Sequence, residues 1–310
     1  MYTSSLYNVF KNIASTIGWF DLKAFVKREL QYHRWNKEDN RKRREIASAI
    51  ELLPMDALSR KNDASDVIVS LTSFGKRVDS FVPYTLYTLF QQTRLPNRIV
   101  LYLDKHWNDE NIPKLLKRLK KSGLEIYYVD DIRSYKKLIP ALKMFPHNII
   151  ITVDDDVYYD VHLVEKLLEA YKADGRKSIV CNNGVAVGKK DGRFLPYSQW
   201  KHDVEGNPEY SGVGEMGILY PGDCFDDEIL KEEIFMKYLP TADDIWFWLQ
   251  AYRCKRSVIL NRGYKEKYPI RAISRTDIYR EKGSTSLYFQ NVIHKKNDEQ
   301  FAAILAYYGM

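Results

Sequence analysis

From residue 66 onward the chain repeats one figure: a short apolar, largely β-branched run, a polar break, and then a stretch with helical periodicity. The runs fall at 67–72, 98–103, 125–129, 148–153 and 178–180, with helical patterns near 80–92, 110–121, 135–144 and 160–173. Runs apolar on both sides suit strands covered by helices on both faces, so a mostly parallel sheet in an α/β sandwich is expected. Ligands of such sheets bind beyond the carboxyl ends of the strands, which is where chemistry should be sought.

The strand ends are polar. The first run leads into Thr72-Ser73-Phe74-Gly75, the second into Asp104, the third into Asp130-Asp131 and the fourth into Asp154-Asp155-Asp156. A D-x-D string means little by itself, and its place after a buried strand is what gives this one weight. Three adjacent carboxylates repel one another unless a cation intervenes, and hard oxygen ligands suit Mg²⁺ or Mn²⁺. A bound diphosphate would complete the coordination sphere. An acidic helix cap is the plainer alternative, but one Asp suffices for a cap.

A second constellation is Thr241-Ala242-Asp243-Asp244, followed at once by Ile245-Trp246-Phe247-Trp248. Thr241 is expected to cap a helix with both Asp in its first turn. The apolar residues that follow are expected to leave this helix start semi-buried, a setting in which a carboxylate can serve as general base. Ser211-Gly212-Val213-Gly214-Glu215-Met216-Gly217, with its three glycines, reads as a tight turn ahead of a strand at 218–220.

Composition narrows the functional classes. Residues 1–60 hold 11 Lys and Arg against 7 Asp and Glu, whereas the remaining 250 hold 37 against 34. The larger part is near neutral, so a nucleic-acid partner is not expected. Residues 1–60 form a separate helical extension in this reading. Leu6, Val9, Phe10, Ile13 and Ile17 share a helix face, Gly18 interrupts, Leu22, Phe25, Val26 and Leu30 resume, and Arg41-Lys42-Arg43-Arg44 opens a third stretch ending before Pro54. It packs on the catalytic domain, joins two copies in a homodimer, or lies on an anionic membrane surface. Three widely spaced cysteines fit no zinc pattern and suggest reduced thiols. No run of about 18 apolar residues offers a membrane span, and no signal-peptide pattern opens the chain. A cytoplasmic enzyme, peripheral on the inner face of the membrane, is the expected setting.

Ser70-Leu71-Thr72-Ser73-Phe74, Ser134-Tyr135-Lys136-Lys137-Leu138, Val153-Asp154-Asp155-Asp156-Val157 and Ala242-Asp243-Asp244-Ile245-Trp246, in that order, resemble a group of bacterial glycosyltransferases. That group stands near the family-2 enzymes of capsule and surface-polysaccharide synthesis. The resemblance spans residues 66–310. It implies a GT-A fold over 61–310, with a mixed central sheet, and inverting transfer of a sugar from a nucleotide diphosphate, UDP above all, to a glycan or lipid-linked glycan. Thr72, Ser73 and Asp104 would then meet the nucleotide, Lys136 and Lys137 the ribose or diphosphate, and Asp154 and Asp155 the donor. Asp156, with Asp154, would ligate Mn²⁺ or Mg²⁺. Asp244 would be the base, with Asp243 as second choice. Gly214 and Gly217 would close over the donor, although Glu215-Met216 replaces the small residues usual there. His294 or Asp298 would supply a late metal ligand. Two other readings stay open: a nucleotidyl- or phosphoglycosyl-transferase, and a catalytically silent carbohydrate- or membrane-binding module.

Overall fold

The computed structural model describes residues 19–58, 67–202, 204, 206, 208–269, 271–274 and 296–310, with side chains from residue 24. His294 and residues 1–18 lie outside the described residues. The strands are β1 Val67–Thr72, β2 Arg98–Asp104, β3 Leu124–Val129, β4 Ile149–Thr152, β5 Ile179–Cys181, β6 Gly184–Ala186, β7 Lys189–Lys190, β8 Arg193–Phe194, β9 Tyr210–Gly212, β10 Ile218–Tyr220 and β11 Val258–Leu260. The helices are α1 Trp19–Glu51, α2 Arg77–Ser80, α3 Val82–Phe90, α4 Lys114–Lys121, α5 Ile139–Met144, α6 Leu163–Ala173, α7 Glu232–Tyr238, α8 Asp243–Arg253, α9 Tyr264–Lys267 and α10 Lys296–Tyr308.

Seven strands form one sheet in the order β11-β5-β10-β4-β1-β2-β3. All pairs are parallel except those of β10, which runs antiparallel between β4 and β5. The α/β sandwich with a mixed central sheet is therefore the one expected. Alternation along each strand divides the interior in two: Val69, Leu71, Leu101 and Leu103 face one core, with α3, α4 and α6, while Ile68, Val100 and Tyr102 face the other, with α5 and α8. Both faces of the inner strands are covered, which is why their runs are largely apolar.

The N-terminal region departs from its expected division. The stretches around 22–30 and 41–53 are one continuous 33-residue helix, α1. Asn40, Arg41 and Lys42 are all compatible with helix, and nothing between 31 and 40 breaks it. Its last turns dock on the domain, with Ile46 and Ile50 buried in the first core beside Leu58. The basic run also turns inward in part: Lys42 Nζ stands 3.5 Å over the Tyr158 ring, and Arg43 Nη1 donates to the Ser80 carbonyl at 3.5 Å. Among the described residues no helix is long and apolar enough to cross a membrane.

Candidate functional site

Parallel strands β1 and β4 end side by side, Val153 N–H donating to Ser70 O at 3.0 Å, so Thr72-Ser73 and Asp154–Asp156 leave the sheet together. The three aspartates then part company. Asp155 is buried and consumed: Ser73 Oγ and Arg77 Nη2 donate to its two oxygens, and Arg77 Nε to Oδ2 at 3.0 Å. Its carbonyl accepts from Thr85 Oγ1 at 2.8 Å. Asp154 and Asp156 stay open, with 35% and 28% of their side chains exposed against 8% for Asp155. Arg77 Nη2 also reaches Asp156 Oδ2 at 2.9 Å. Burial raises the Asp156 carboxyl's pKa, and Asp155 and Asp154 add to that against the opposing Arg77.

The other wall begins after β3, where residues 133–137 make a 3₁₀ turn. Ser70 Oγ donates to Lys137 O at 2.5 Å, fastening that turn to β1. Lys137 is buried, and its Nζ lies 3.3 Å from Asp154, 3.0 Å from Asp243 and 3.7 Å from Asp244. Burial favours the neutral amine, but the three carboxylates outweigh it and hold the lysine charged. One ammonium thus ties the end of β4 to the start of α8.

The pair on α8 is as unequal as the triad on β4. Asp243 is 6% exposed; its Oδ1 accepts from Ser134 Oγ at 2.8 Å while Oδ2 faces Lys137. Asp244 keeps 28% of its side chain exposed, and its Oδ2 accepts from Gly214 N–H at 3.1 Å. Its Oδ1 is buried without a hydrogen-bond partner. Burial, opposed by Lys137 and reinforced by Asp243 and Asp154, pushes this carboxyl up to about 7. Gly214 is closely surrounded by the site's charged groups. A Cβ there would lie 2.7 Å from Lys137 Nζ, 3.3 Å from Asp244 Oδ1 and 3.5 Å from Asp154 Oδ1.

Other expected residues take different places. Thr72 Oγ1 donates to Tyr102 O at 2.8 Å, and Asp104 Oδ1 accepts from His106 N–H at 3.0 Å, both at the ends of β1 and β2. Lys136 is taken up by Asp131, away from the triad. Gly217 sits at φ 91°, and a Cβ there would come within 3.0 Å of Leu163 of α6. Thr241 does not cap α8. Ala242 occupies that position and Thr241 Oγ1 bonds Gln300, because α10 lies within reach. Asp298 accepts from Ser198 N–H at 2.7 Å. Among the described residues no three His, Cys, Asp or Glu side chains converge as a protein-only metal site.

A cation still fits the site. Asp154, Asp155, Asp156, Asp243 and Asp244 face two cations, Arg77 and Lys137, so three negative charges remain uncompensated when all are ionised. The two open carboxylates flank a closed one, and Mg²⁺-type sites commonly use one or two carboxylates plus substrate phosphates. Three contributors went unread in the sequence: Arg77, Ser134 as the partner of Asp243, and Tyr159. The Tyr159 hydroxyl accepts from Asp154 N–H at 2.8 Å and donates to Glu215 O at 3.0 Å. Arg77, in the Lys76-Arg77 pair just after Gly75, was the legible one. Tyr159 looks like any core tyrosine.

No protein-family model and no curated protein matches the chain in sequence. Several solved structures are similar in part. S. aureus TarS 1-349 in complex with UDP-GlcNAc is 17% identical, over 64% of this chain and 56% of that one, at a TM-score of 0.40. A putative glucose-1-phosphate thymidylyltransferase from Bacillus anthracis is 11% identical over 72% and 98%, at 0.42. CMP:2-keto-3-deoxy-manno-octonic acid synthetase complexed with CTP is 11% identical over 63% and 87%, at 0.38. The match takes in little more than half of the TarS chain, and likenesses this partial assign no activity.

Proposed function

We propose that the chain is a nucleotide-sugar-dependent transferase of the GT-A type, moving a sugar from a nucleoside diphosphate to a glycan hydroxyl. The observation that carries this is the pairing, across the shared Lys137, of one part-open carboxyl near pKa 7, Asp244, with the open carboxylate Asp154, two residues before the open Asp156. Nucleotide binding alone needs no such base, and sugar transfer to a hydroxyl does.

In this reading Asp154 and Asp156 would hold Mn²⁺ or Mg²⁺, which would supply charge neutralisation for the leaving phosphate. Asp244 Oδ2, steered by Gly214 N–H, accepts the proton of the acceptor hydroxyl as its oxygen bonds to the anomeric carbon. The bond from that carbon to the diphosphate breaks, and attack from the far side inverts the configuration. Asp243 and Ser134 fix Lys137, and Lys137 keeps Asp244 from rising further in pKa.

The test is a panel of nucleotide sugars assayed for metal-dependent hydrolysis, which reveals a donor without knowledge of the acceptor. Turnover of a nucleoside triphosphate with a sugar phosphate, releasing pyrophosphate, would overturn the reading. In calorimetry, Asp156→Ala should abolish the part of UDP affinity that depends on Mn²⁺. Unchanged Mn²⁺-dependent affinity would remove Asp156 from the site.

A further inference from the structure

Glu215 is a half-buried acid that the mechanism above does not use. It lies in the 3₁₀ turn Gly214–Met216, between the two walls. On one side Tyr159 OH bridges Glu215 O to Asp154 N–H; on the other, the preceding residue donates to Asp244 Oδ2. Its side chain is aimed by Asn183, itself 5% exposed, whose Nδ2 donates to Oε1 at 2.9 Å. Asn183 is fixed in turn, its carbonyl accepting from Val213 N–H at 2.9 Å. Among the described residues no Lys, Arg or His forms an ion pair with Glu215. Burial pushes its carboxyl up, as do Asp154 and, more weakly, Asp156, against the opposing Asn183 hydrogen bond and the Lys265 charge.

A donor's transferable sugar must lie between its diphosphate, at Asp154 and Asp156, and the base, at Asp244. The turn that carries Glu215 is hydrogen-bonded at both ends of that span, to Asp154 through Tyr159 and to Asp244 through Gly214. We infer that Glu215, oriented by Asn183, is the specificity residue for the donor sugar, accepting hydrogen bonds from its hydroxyls and rejecting sugars that carry a carboxylate. The inference rests on the donor placement proposed above. One carboxylate oxygen is spent on Asn183, and the other is left for the ligand. A neutral, hydroxyl-rich hexose donates to it, whereas a uronic acid brings a second negative charge beside Asp154, Asp156 and Glu215. Like charges brought together in a partly dry site cost several-fold to many-fold in affinity.

The experiment measures UDP, UDP-glucose and UDP-glucuronate binding by calorimetry with Mn²⁺ on the full chain, for the wild type, Glu215→Gln and Glu215→Asp. Glu215→Gln can keep the Asn183 bond, and Glu215→Asp keeps the charge but withdraws it, so one decides if the other folds poorly. The wild type should favour UDP-glucose over UDP-glucuronate. Either variant should weaken UDP-glucose by about tenfold or more, the weight of a charge-assisted hydrogen bond, and leave UDP unchanged. Glu215→Gln should also narrow the glucose-to-glucuronate preference. Equal weakening of UDP and UDP-glucose, or no change in either, overturns the role of Glu215 while the transferase reading stands. Absence of UDP binding in the wild type overturns the donor placement itself, and this inference with it.

Discussion

The acidic run at the end of β4 and the acidic pair at the start of α8 solve one problem in two ways. Each contains a carboxylate that is spent on structure, Asp155 with Arg77 and Ser73, Asp243 with Ser134 and Lys137. Each leaves a neighbour open, Asp154 and Asp156 in the first, Asp244 in the second. They differ in which cation serves them. Arg77 grips its carboxylate through a bidentate fork, which fixes geometry, whereas Lys137 spreads a point charge over three carboxylates and opposes the rise of Asp244. Runs of acids are thus not uniform sites. The buried member anchors, and the exposed member is free for ligand.

The largest effect should come from breaking the working member of the α8 pair. Asp244→Asn keeps shape and the Gly214 hydrogen bond but cannot take a proton, so turnover should fall by about 100- to 10,000-fold with little change in nucleotide affinity. Asp243→Asn should cost turnover less and folding stability more. A dead Asp243→Asn beside an active Asp244→Asn would reverse the two roles.

The anchoring member of the β4 run is best tested through its partner. Arg77→Met strands Asp155 as a buried, unpaired charge, and losing one side of such a pair costs about 3–5 kcal/mol. Urea unfolding would read this as a lower midpoint at constant slope. A loss under about 1 kcal/mol would mean that Asp155 finds water, and that the two halves of the run are less different than their exposure implies.

Much of this difference could be read in the sequence, and some could not. Apolar runs between polar breaks place β1 to β4 within a residue or two, because burial on both faces marks nearly every residue of β1, β2 and β4, and β3 keeps an apolar run although it is only partly buried. The positions of Asp154–Asp156 and Asp243-Asp244 followed from those ends. What periodicity does not report is a partner distant in the chain. The insertion of β10 between β4 and β5, the Gln300 contact that draws Thr241 away from α8, and the Tyr159 bridge all depend on pairings dozens of residues apart. Nor does an acidic string announce which of its members is buried; that depends on Arg77 and Ser73 arriving from β1.

Proton linkage sharpens the comparison further. A base with its pKa near 7 is ionised above that value and protonated below it, so turnover should rise with pH to a plateau just above 7. Stability should run the other way. Between the ordinary carboxylate range, about 4, and about 7 the folded chain keeps a proton on Asp244 that the unfolded chain has lost, so unfolding becomes easier as pH rises. A flat turnover profile from about 5.5 to 8.5 would place the base elsewhere.

The smallest effect belongs to an acid that belongs to neither run. Asp298, the late metal ligand that the resemblance offers, lies in the first turn of α10, and its carboxylate accepts from Ser198 N–H of the 197–199 turn. Both the hydrogen bond and the helix dipole favour a negative charge there, each by about 1 kcal/mol or less at an exposed site. Asp298→Ala should therefore lower stability by no more than about 1.5 kcal/mol, with the Mn²⁺ dependence of UDP binding unchanged. Because α10 also contributes Phe301 and Ile304 to the core behind α8, Asp298→Asn is the cleaner variant. It keeps the hydrogen bond and removes only the charge. If either variant weakens Mn²⁺-dependent binding while the melting temperature holds, a third carboxylate reaches the cation in the bound state, and the division between anchoring and open acids drawn from β4 and α8 would have to include the last helix.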